Sequence, residues 1–506
     1  MTECTQTSFG FHPLFRREVV AQFDGGDITS DAGGLLLRET DQRLNLTGRL
    51  AACFVDHRRP DRVEHRVEQL VAQRIYGLAL GYEDLNDHDQ LRSDPMMGVL
   101  IGKAEPKGTD RRREQDQGKA GAGKSMLNRL ELTPEEADAK ARYKKIVYRQ
   151  EAVDELLVDL FLESFPQPPS RLELDLDATD DPVHGNQEGR FFHGYYGEYC
   201  YLPLYIICGE FVLCARLRSS NIDASSGALE EVQRIVAQIR NKWPKVEIIL
   251  RGDGGFSRDA IMSWCEKNRV QFLFGMAKNK RLLKIIGKQL QEAKVEFEKT
   301  KQAARVFTDF SYQTRKSWKR ERRVVAKAEH LEKGANPRFV VTSLSAEEME
   351  ARALYEELYC ARGEMENRIK EQQLALFADR TSTELMRSNQ LRLYFSTFAY
   401  QLMQGLRRLG LKGTEMRHAR NRGACTMSDD PLEAAENRSA DSGDGPKSVV
   451  VIGWGLSVLR RFSRRFITTC GAYRQRVEAP QTGLDLKFHW KRTGPGRGPQ
   501  RRIVKI

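Results

Sequence analysis

Apolar and polar positions alternate most sharply at Leu172-Glu-Leu-Asp-Leu-Asp177. This period of two predicts a strand with Leu172, Leu174 and Leu176 on one face and Glu173, Asp175 and Asp177 on the other. The run breaks at Asp180-Asp181-Pro182, so the last acids stand at the strand's C-terminal end beside Thr179. Next come two strand-like runs, Cys200–Cys208 and Phe211–Leu217, joined by Gly209-Glu210 as a hairpin. A helix with Leu229, Val232, Val236 and Ile239 on one face follows. Then come a buried strand Val246–Leu250, a helix over Asp259–Asn268 and a strand over Val270–Gly275. The predicted order is β-β-β-α-β-α-β, the first three strands antiparallel.

Upstream, residues 1–165 read as a mainly helical region. Thr29-Ser-Asp31 predicts a cap for a helix carrying Leu35, Leu36, Leu37 and Leu44. From Asp61, Val63, Val67, Leu70, Val71 and Ile75 predict an amphipathic helix with Arg62, Arg66 and Arg74 on its polar face. Glu83-Asp84 and Asp87-His88-Asp89 read as a solvated loop with helix caps, a metal site being the weaker alternative. Gly118–Ser125 fits the phosphate-loop pattern G-x4-G-K-S, but Asp110–Gln117 before it is too charged to be the buried strand such a loop needs. It is expected to be a flexible basic loop opening a helix at Ser125, with no nucleotide bound.

Downstream, residues 285–343 read as a β-rich basic insertion, with strands at 305–307, 322–326 and 338–342. Within it, Arg315, Lys316, Lys319 and Arg320 are expected to meet a polyanion, and Trp318 to stack on an unpaired base. Ser345-Ala-Glu-Glu348 predicts a capping box opening a helix on which Tyr359, Arg362, Glu366, Lys370 and Gln373 share one face. An aromatic-rich helix is predicted over Thr383–Leu409, within a C-terminal helical segment 381–411. Residues 412–447 read as a flexible linker, and 448–506 as a helical piece and basic tail.

Composition narrows the partner. The 506 residues carry a formal net charge of +12, which favours nucleic acid, and no apolar run is long enough to span a bilayer. With no secretory leader pattern and nine scattered cysteines lacking C-x-x-C pairs, the expectation is a cytoplasmic protein with reduced, buried thiols.

The candidate chemistry is carboxylate-based. Asp253, in Arg251-Gly-Asp-Gly-Gly-Phe256, also ends a predicted strand, and Glu366 lies on the later helix. Two strand-end aspartates plus a helical glutamate suit two hard divalent ions around a phosphodiester. The spacing leaves open whether Asp175 or Asp177 is the first ligand. The strand order matches a ribonuclease H-like core, here 166–284 with 344–380, giving an α/β class with an insertion and flanking helices. A rival is a haloacid-dehalogenase-like phosphatase, in which Asp175-Leu-Asp-Ala-Thr179 would supply nucleophile and acid/base. The hairpin that follows argues against it.

From about Thr29 to about Leu409 the chain resembles the DDE transposases of bacterial insertion sequences. The motifs are Asp-Ala-Thr at Asp177, Arg-Gly-Asp-Gly-Gly-Phe at Asp253, and Tyr359-x2-Arg362-x3-Glu366, which looks like a Y-R-E-K-type signature. Thr-Ser-Asp-Ala-Gly-Gly-Leu-Leu-Leu and Gly-Lys-Ser-x-Leu-Asn-Arg-Leu-Glu look like the same branch. The resemblance implies a triad of Asp177, Asp253 and Glu366 holding two Mg2+ ions, with Mn2+ able to substitute. It favours Asp177 over Asp175, and gives Arg362 and Tyr359 to the transposon-end phosphate. It further implies cleavage at terminal inverted repeats of double-stranded DNA, joining of 3′-OH ends to target DNA, a homodimer in the DNA complex and a nucleoid-associated location. The signature's lysine falls on Gln373, with Lys370 its possible stand-in, and the C-terminus departs from the family. The alternative is thus a degenerate protein that binds ends without cutting.

Overall fold

The structure is a computed structural model, which describes residues 8–15, 17–22, 29–414, 417 and 484–487. The linker and most of the tail expected after residue 412 lie outside these residues. Two compact units emerge, one within 1–149, 374–377 and 395–506, the other formed by 150–373 and 378–394. Among the described residues no helix is long and apolar enough to cross a membrane.

The first unit contains the expected helices, Gly34–Leu44 and Val67–Ala79, but also strands. Ser8–Leu14 pairs with Arg17–Gln22, and Phe54–Asp56 with Ile146–Tyr148. Leu484–Lys487, in the stretch read as tail, adds a parallel strand to the first pair. Three sequence expectations are corrected here. Asp31 makes no side-chain cap; its carboxylate accepts from the Tyr82 hydroxyl at 2.8 Å. Arg74 does not face solvent but is buried, paired with Glu131 at 2.8 Å. The Gly118–Ser125 segment is packed rather than flexible: Ala120 and Ala122 are buried, and both polar backbone atoms of Ala122 bond to the buried Gln73 side chain at 2.7 and 2.8 Å. The Lys124 amide donates to Asp89 at 3.1 Å. Amides spent in this way cannot cradle a phosphate, so the motif is structural. Asp84 caps the turn at Asn86, as read, while His88 beside it is buried against Gln73 and Arg74. Burial, then the charge of Arg74, lowers the His88 pKa to about 3, so it stays neutral.

The second unit is built on one nine-stranded sheet. Its strands in chain order are β1 (Arg171–Ala178), β2 (Leu204–Cys208), β3 (Phe211–Arg216), β4 (Glu247–Gly252), β5 (Gln271–Met276), β6 (Ala304–Tyr312), β7 (Arg322–Leu331) and β8 (Arg338–Thr342). Across the sheet they run β3-β2-β1-β4-β5-β8-β7-β6, with a short ninth strand, Gly334–Ala335, on β7. β2 is antiparallel to both β1 and β3, and β4 is parallel to both β1 and β5. The order and directions expected from the pattern are thus observed. Pro203, which has no amide to give a ladder, separates β2 from Cys200, so the long run read there as one strand is two. The inserted strands β6, β7 and β8 continue this same sheet, and a helix, Gly287–Thr300, precedes them.

Both faces of the sheet are covered, which explains its residues. Leu172, Leu174, Leu176, Ile248, Leu250, Phe272, Phe274, Val324 and Val341 point to one core, against the helix Ala228–Lys242. The intervening Ile249, Leu273, Val325 and Val340 point to a second core with Leu354, Tyr355 and Leu358. Period-2 alternation with both faces apolar is what a two-sided sheet requires. Leu174 and Leu176 are fully buried, and truncating either to alanine would cost roughly 2–5 kcal/mol. Of the described cysteines, all but Cys360 are buried, and none of them is in a disulfide.

Candidate active site

β1 and β4 lie side by side and parallel, with Asp175 opposite Arg251 and Leu176 opposite Gly252. One residue beyond this register stand Asp177 and Asp253, both at C-terminal strand ends. After β4 the chain turns on glycines: Gly255 donates its amide to Asp253 Oδ1 at 2.8 Å, which fixes the exposed aspartate's backbone. The third acid comes from a broken helix. The Ser345–Glu348 capping box forms, at 2.7 and 3.2 Å, yet encloses only a turn; the helix itself starts at Ala351, capped by Glu350. It passes through π geometry at Leu354–Tyr359 and 3-10 geometry at Cys360–Arg362 before continuing as α-helix over Gly363–Leu376. Such breaks cluster where a side chain is re-aimed.

Here that side chain is Arg362. Its guanidinium stands 3.8 Å from Asp177 and 3.8 Å from Glu366, bridging β1 and the helix. Arg362 Nη1 is buried yet makes no hydrogen bond. A buried cationic donor left unspent is ready for an anion's oxygen. Asp177 is mostly buried and Glu366 half exposed. Burial, then the negative charges of Asp253 and Glu366, raises the Asp177 pKa to about 6 against the pull of Arg362. Tyr359 leans over β5: a Cβ on Gly275 would lie 2.6 Å from its hydroxyl, so only glycine fits beneath it. Burial raises the Tyr359 pKa, with Arg362 opposing and Asp253 reinforcing.

Asp175 has another task. Both its oxygens are held by Arg251, at 2.6 and 2.8 Å, and Arg251 Nη1 donates to the Leu358 carbonyl at 2.8 Å. A carboxylate spent in this way cannot serve as the nucleophile that the phosphatase reading needs. Sequence reasoning missed Arg251; the signal was a lone arginine after Ile-Ile-Leu in a buried strand, which demands an acidic neighbour.

The remaining candidates divide. Lys370 is exposed on the helix beyond Glu366. Gln373 is turned inward, its amide donating to the Asp180 carbonyl at 3.1 Å just past β1. Trp318 is corrected: it is 6 % exposed and packed edge-on against Tyr312 at 5.9 Å, with Arg322 over its ring, so no base can reach it. Arg320 pairs with Glu266, and Lys319 spends its amide on Asp259 at 3.0 Å. The side chains of Arg315, Lys316 and Lys319 are exposed on the loop between β6 and β7.

Three carboxylates whose charges oppose one another suit a hard divalent cation as donors. Among the described residues, however, no three His, Cys, Asp or Glu side chains are gathered closely enough to hold a metal ion as they stand. Arg362 occupies the space between two of them.

Comparison with known proteins gives the family. The model for "Transposase DDE domain group 1" matches residues 11–423. No curated protein sequence matches the chain. A similar solved structure is the piggyBac transposase synaptic complex with hairpin DNA, determined by cryo-EM. It is 9% identical with a TM-score of 0.34, over 74% of this chain and 80% of that one, too distant to carry an argument. The fold is mixed α/β and the chain belongs to the DDE transposase family.

Proposed function

We propose that the protein cuts double-stranded DNA at its element's terminal inverted repeats and joins the freed 3′-OH ends to target DNA. The core is read as ribonuclease H-like, supported by the order β3-β2-β1-β4-β5 with β2 alone reversed. The reading rests on one observation: Asp177 and Glu366, from a strand end and a facing helix, flank a buried arginine with an unspent donor, beside Asp253. Asp177, Asp253 and Glu366 would hold two Mg2+ ions, or Mn2+, which supply Lewis-acid activation of the attacking hydroxyl and stabilisation of the leaving oxygen. Arg362 binds the phosphate and releases the two carboxylates as it does so. Tyr359 walls the site, and Gln373 sets the peptide after Asp180. Lys370, Arg315, Lys316, Lys319 and, at its pairing with Glu266, Arg320 meet backbone phosphates, and the N-terminal region recognises the ends. Two ends cut and joined together call for a homodimer on DNA.

The test is Mg2+-dependent cleavage of a labelled duplex carrying the repeat that flanks the reading frame, comparing wild type with Asp253→Asn and Glu366→Gln. Loss of cutting in both variants with binding retained supports the reading; cutting that survives both sinks the triad. Binding without cutting by any form supports the degenerate, end-binding alternative.

A further inference from the structure

Immediately after Asp177 the chain builds a small three-stranded sheet from Asp181–Pro182, Phe191–His193 and Glu198–Tyr201. Its foot is fixed. The Tyr201 hydroxyl donates to the Glu188 carbonyl at 2.6 Å, Gln187 to the Thr381 carbonyl at 3.2 Å, and the Met386 amide to Glu188 at 3.0 Å. Ser220 holds the Phe191 carbonyl at 2.9 Å. Its tip is the reverse. Phe191, Phe192, Tyr195 and Tyr199 are 43 %, 58 %, 86 % and 48 % exposed, the densest group of open apolar side chains among the described residues.

The tip is ordered by its own rings. Phe192 meets Tyr199 across the strands at 5.6 Å, Tyr195 meets Tyr196 at 5.0 Å, and the Arg190 guanidinium lies 4.6 Å over the Tyr199 ring. A side chain at Gly194 or Gly197 would have met nothing, so both sides of the tip are open. The foot of the hairpin follows Asp177 directly: the Thr179 amide donates to the Pro203 carbonyl at 3.3 Å and Asp181 pairs with Tyr201. In keeping with this, burial, then the charges of Asp180 and Asp177, raises the Tyr196 pKa to about 12. Exposing four aromatic rings beside a carboxylate site is costly without an occupant. Flat rings with a cation over one of them, bordering a phosphodiester site, fit a base better than a protein face.

We propose that the Gly189–Tyr199 hairpin is a stacking wall for nucleobases unpaired next to the phosphate being cut, Phe192 and Tyr195 supplying the free ring faces and Arg190 meeting the adjoining phosphate. This rests on the reading of the acids as a DNA-cleaving site. It gives to the hairpin the stacking role that the buried Trp318 cannot fill.

The experiment uses the full chain with chelator present, so that nothing is cut. Two duplexes are compared, one fully paired and one with a short unpaired stretch carrying 2-aminopurine, each made with the flanking repeat and with unrelated sequence. The unrelated pair reads stacking even where end recognition fails, which separates the two proposals. Wild type is expected to quench the 2-aminopurine. Phe192→Ala/Tyr195→Ala is expected to lose the quenching and to bind the unpaired duplex roughly 10- to 100-fold more weakly, the loss of about one stacked base, with paired-duplex affinity unchanged. Tyr195→Trp, which keeps a ring, is expected to retain both. Equal weakening on paired and unpaired DNA, or unchanged quenching in the double variant, overturns the proposal. So does a double variant that quenches normally but sediments as a smaller species, which would make the tip a contact with a second copy.

Discussion

Replacing Arg251 by methionine should unfold the second unit more easily than any change at its surface. The Arg251 and Asp175 side chains are 7% and 6% exposed, and the arginine spends donors on both carboxylate oxygens and on the Leu358 carbonyl. Removing it leaves a buried charge and a buried carbonyl unpaired, at a cost of roughly 3–5 kcal/mol. The pH dependence follows from Asp175. Burial already raises its pKa and Arg251 opposes that rise, so without the arginine it climbs further. A carboxyl raised in the folded state binds a proton that the unfolded chain releases; its favourable contribution is complete below the ordinary carboxyl range and lost as pH rises through the folded value. The gap between wild type and Arg251→Met should therefore be widest near neutral pH and narrow as pH falls. Adding Asp175→Leu removes the orphaned charge and should recover most of the loss, leaving the roughly 1–3 kcal/mol of the unpaired Leu358 carbonyl. Urea unfolding at several pH values reads all three proteins. A single variant within about 1 kcal/mol of wild type at every pH would refute the reasoning.

Other outcomes follow. Asp181 is buried, and burial, then Asp379 and Asp180, raises its pKa to about 8 against the opposing hydroxyl of Thr381. Wild-type stability should fall with pH between the ordinary carboxyl range and about 8, by up to about 1.4 kcal/mol per unit, and Asp181→Asn should flatten that slope in urea titrations. Trp318→Ala should lose roughly 3–5 kcal/mol while the folded fraction keeps wild-type affinity for DNA in anisotropy titrations. Gly275→Ala should displace Tyr359 and depress cleavage more than binding, and adding Tyr359→Phe, which deletes the nearest clashing atom, should recover part of the thermal stability, the Gly254 amide at 3.1 Å still crowding the new methyl. Gln73→Leu should cost about 1–3 kcal/mol for each Ala122 group it orphans and speed amide exchange across residues 118–124.

The core of the second unit was legible because period-2 alternation and glycine turns are local. Leu172–Asp177, the Gly209 hairpin and Arg251–Phe256 each state their own conformation. What the pattern hid was pairing at a distance. Asp175 and Asp177 share a strand face, and spacing alone does not divide them; the partner 76 residues away does, by occupying one. Arg315–Arg323 reads as a uniform cationic run, yet Arg322 faces Asp259 and Glu266, Arg323 faces Asp309, and Arg320 faces Glu266. Charge in sequence therefore overstates charge offered to DNA. The Gly118–Ser125 loop, expected to be flexible, is packed for the same reason, since its amides answer to Gln73 and Asp89, far from it in the chain.

The helix carrying Glu366 shows why a motif's spacing survives where its periodicity fails. Steps of three and four place Tyr359, Arg362 and Glu366 on one face only if the helix is uniform, and it is not. π geometry over Leu354–Tyr359 tucks Leu354, Tyr355 and Leu358 into the core on the far side of the sheet, and the tighter turn at Cys360–Arg362 takes up the change. Arg251 fixes this passage by bonding the Leu358 carbonyl while gripping Asp175, two residues before Asp177. One buried guanidinium thus ties all three acid-bearing elements together: β1 through Asp175, β4 through its own backbone, and the helix through Leu358. The position of Arg362 between Asp177 and Glu366 depends on that tie. A substitution at Arg251 should consequently disturb the site even in protein that remains folded.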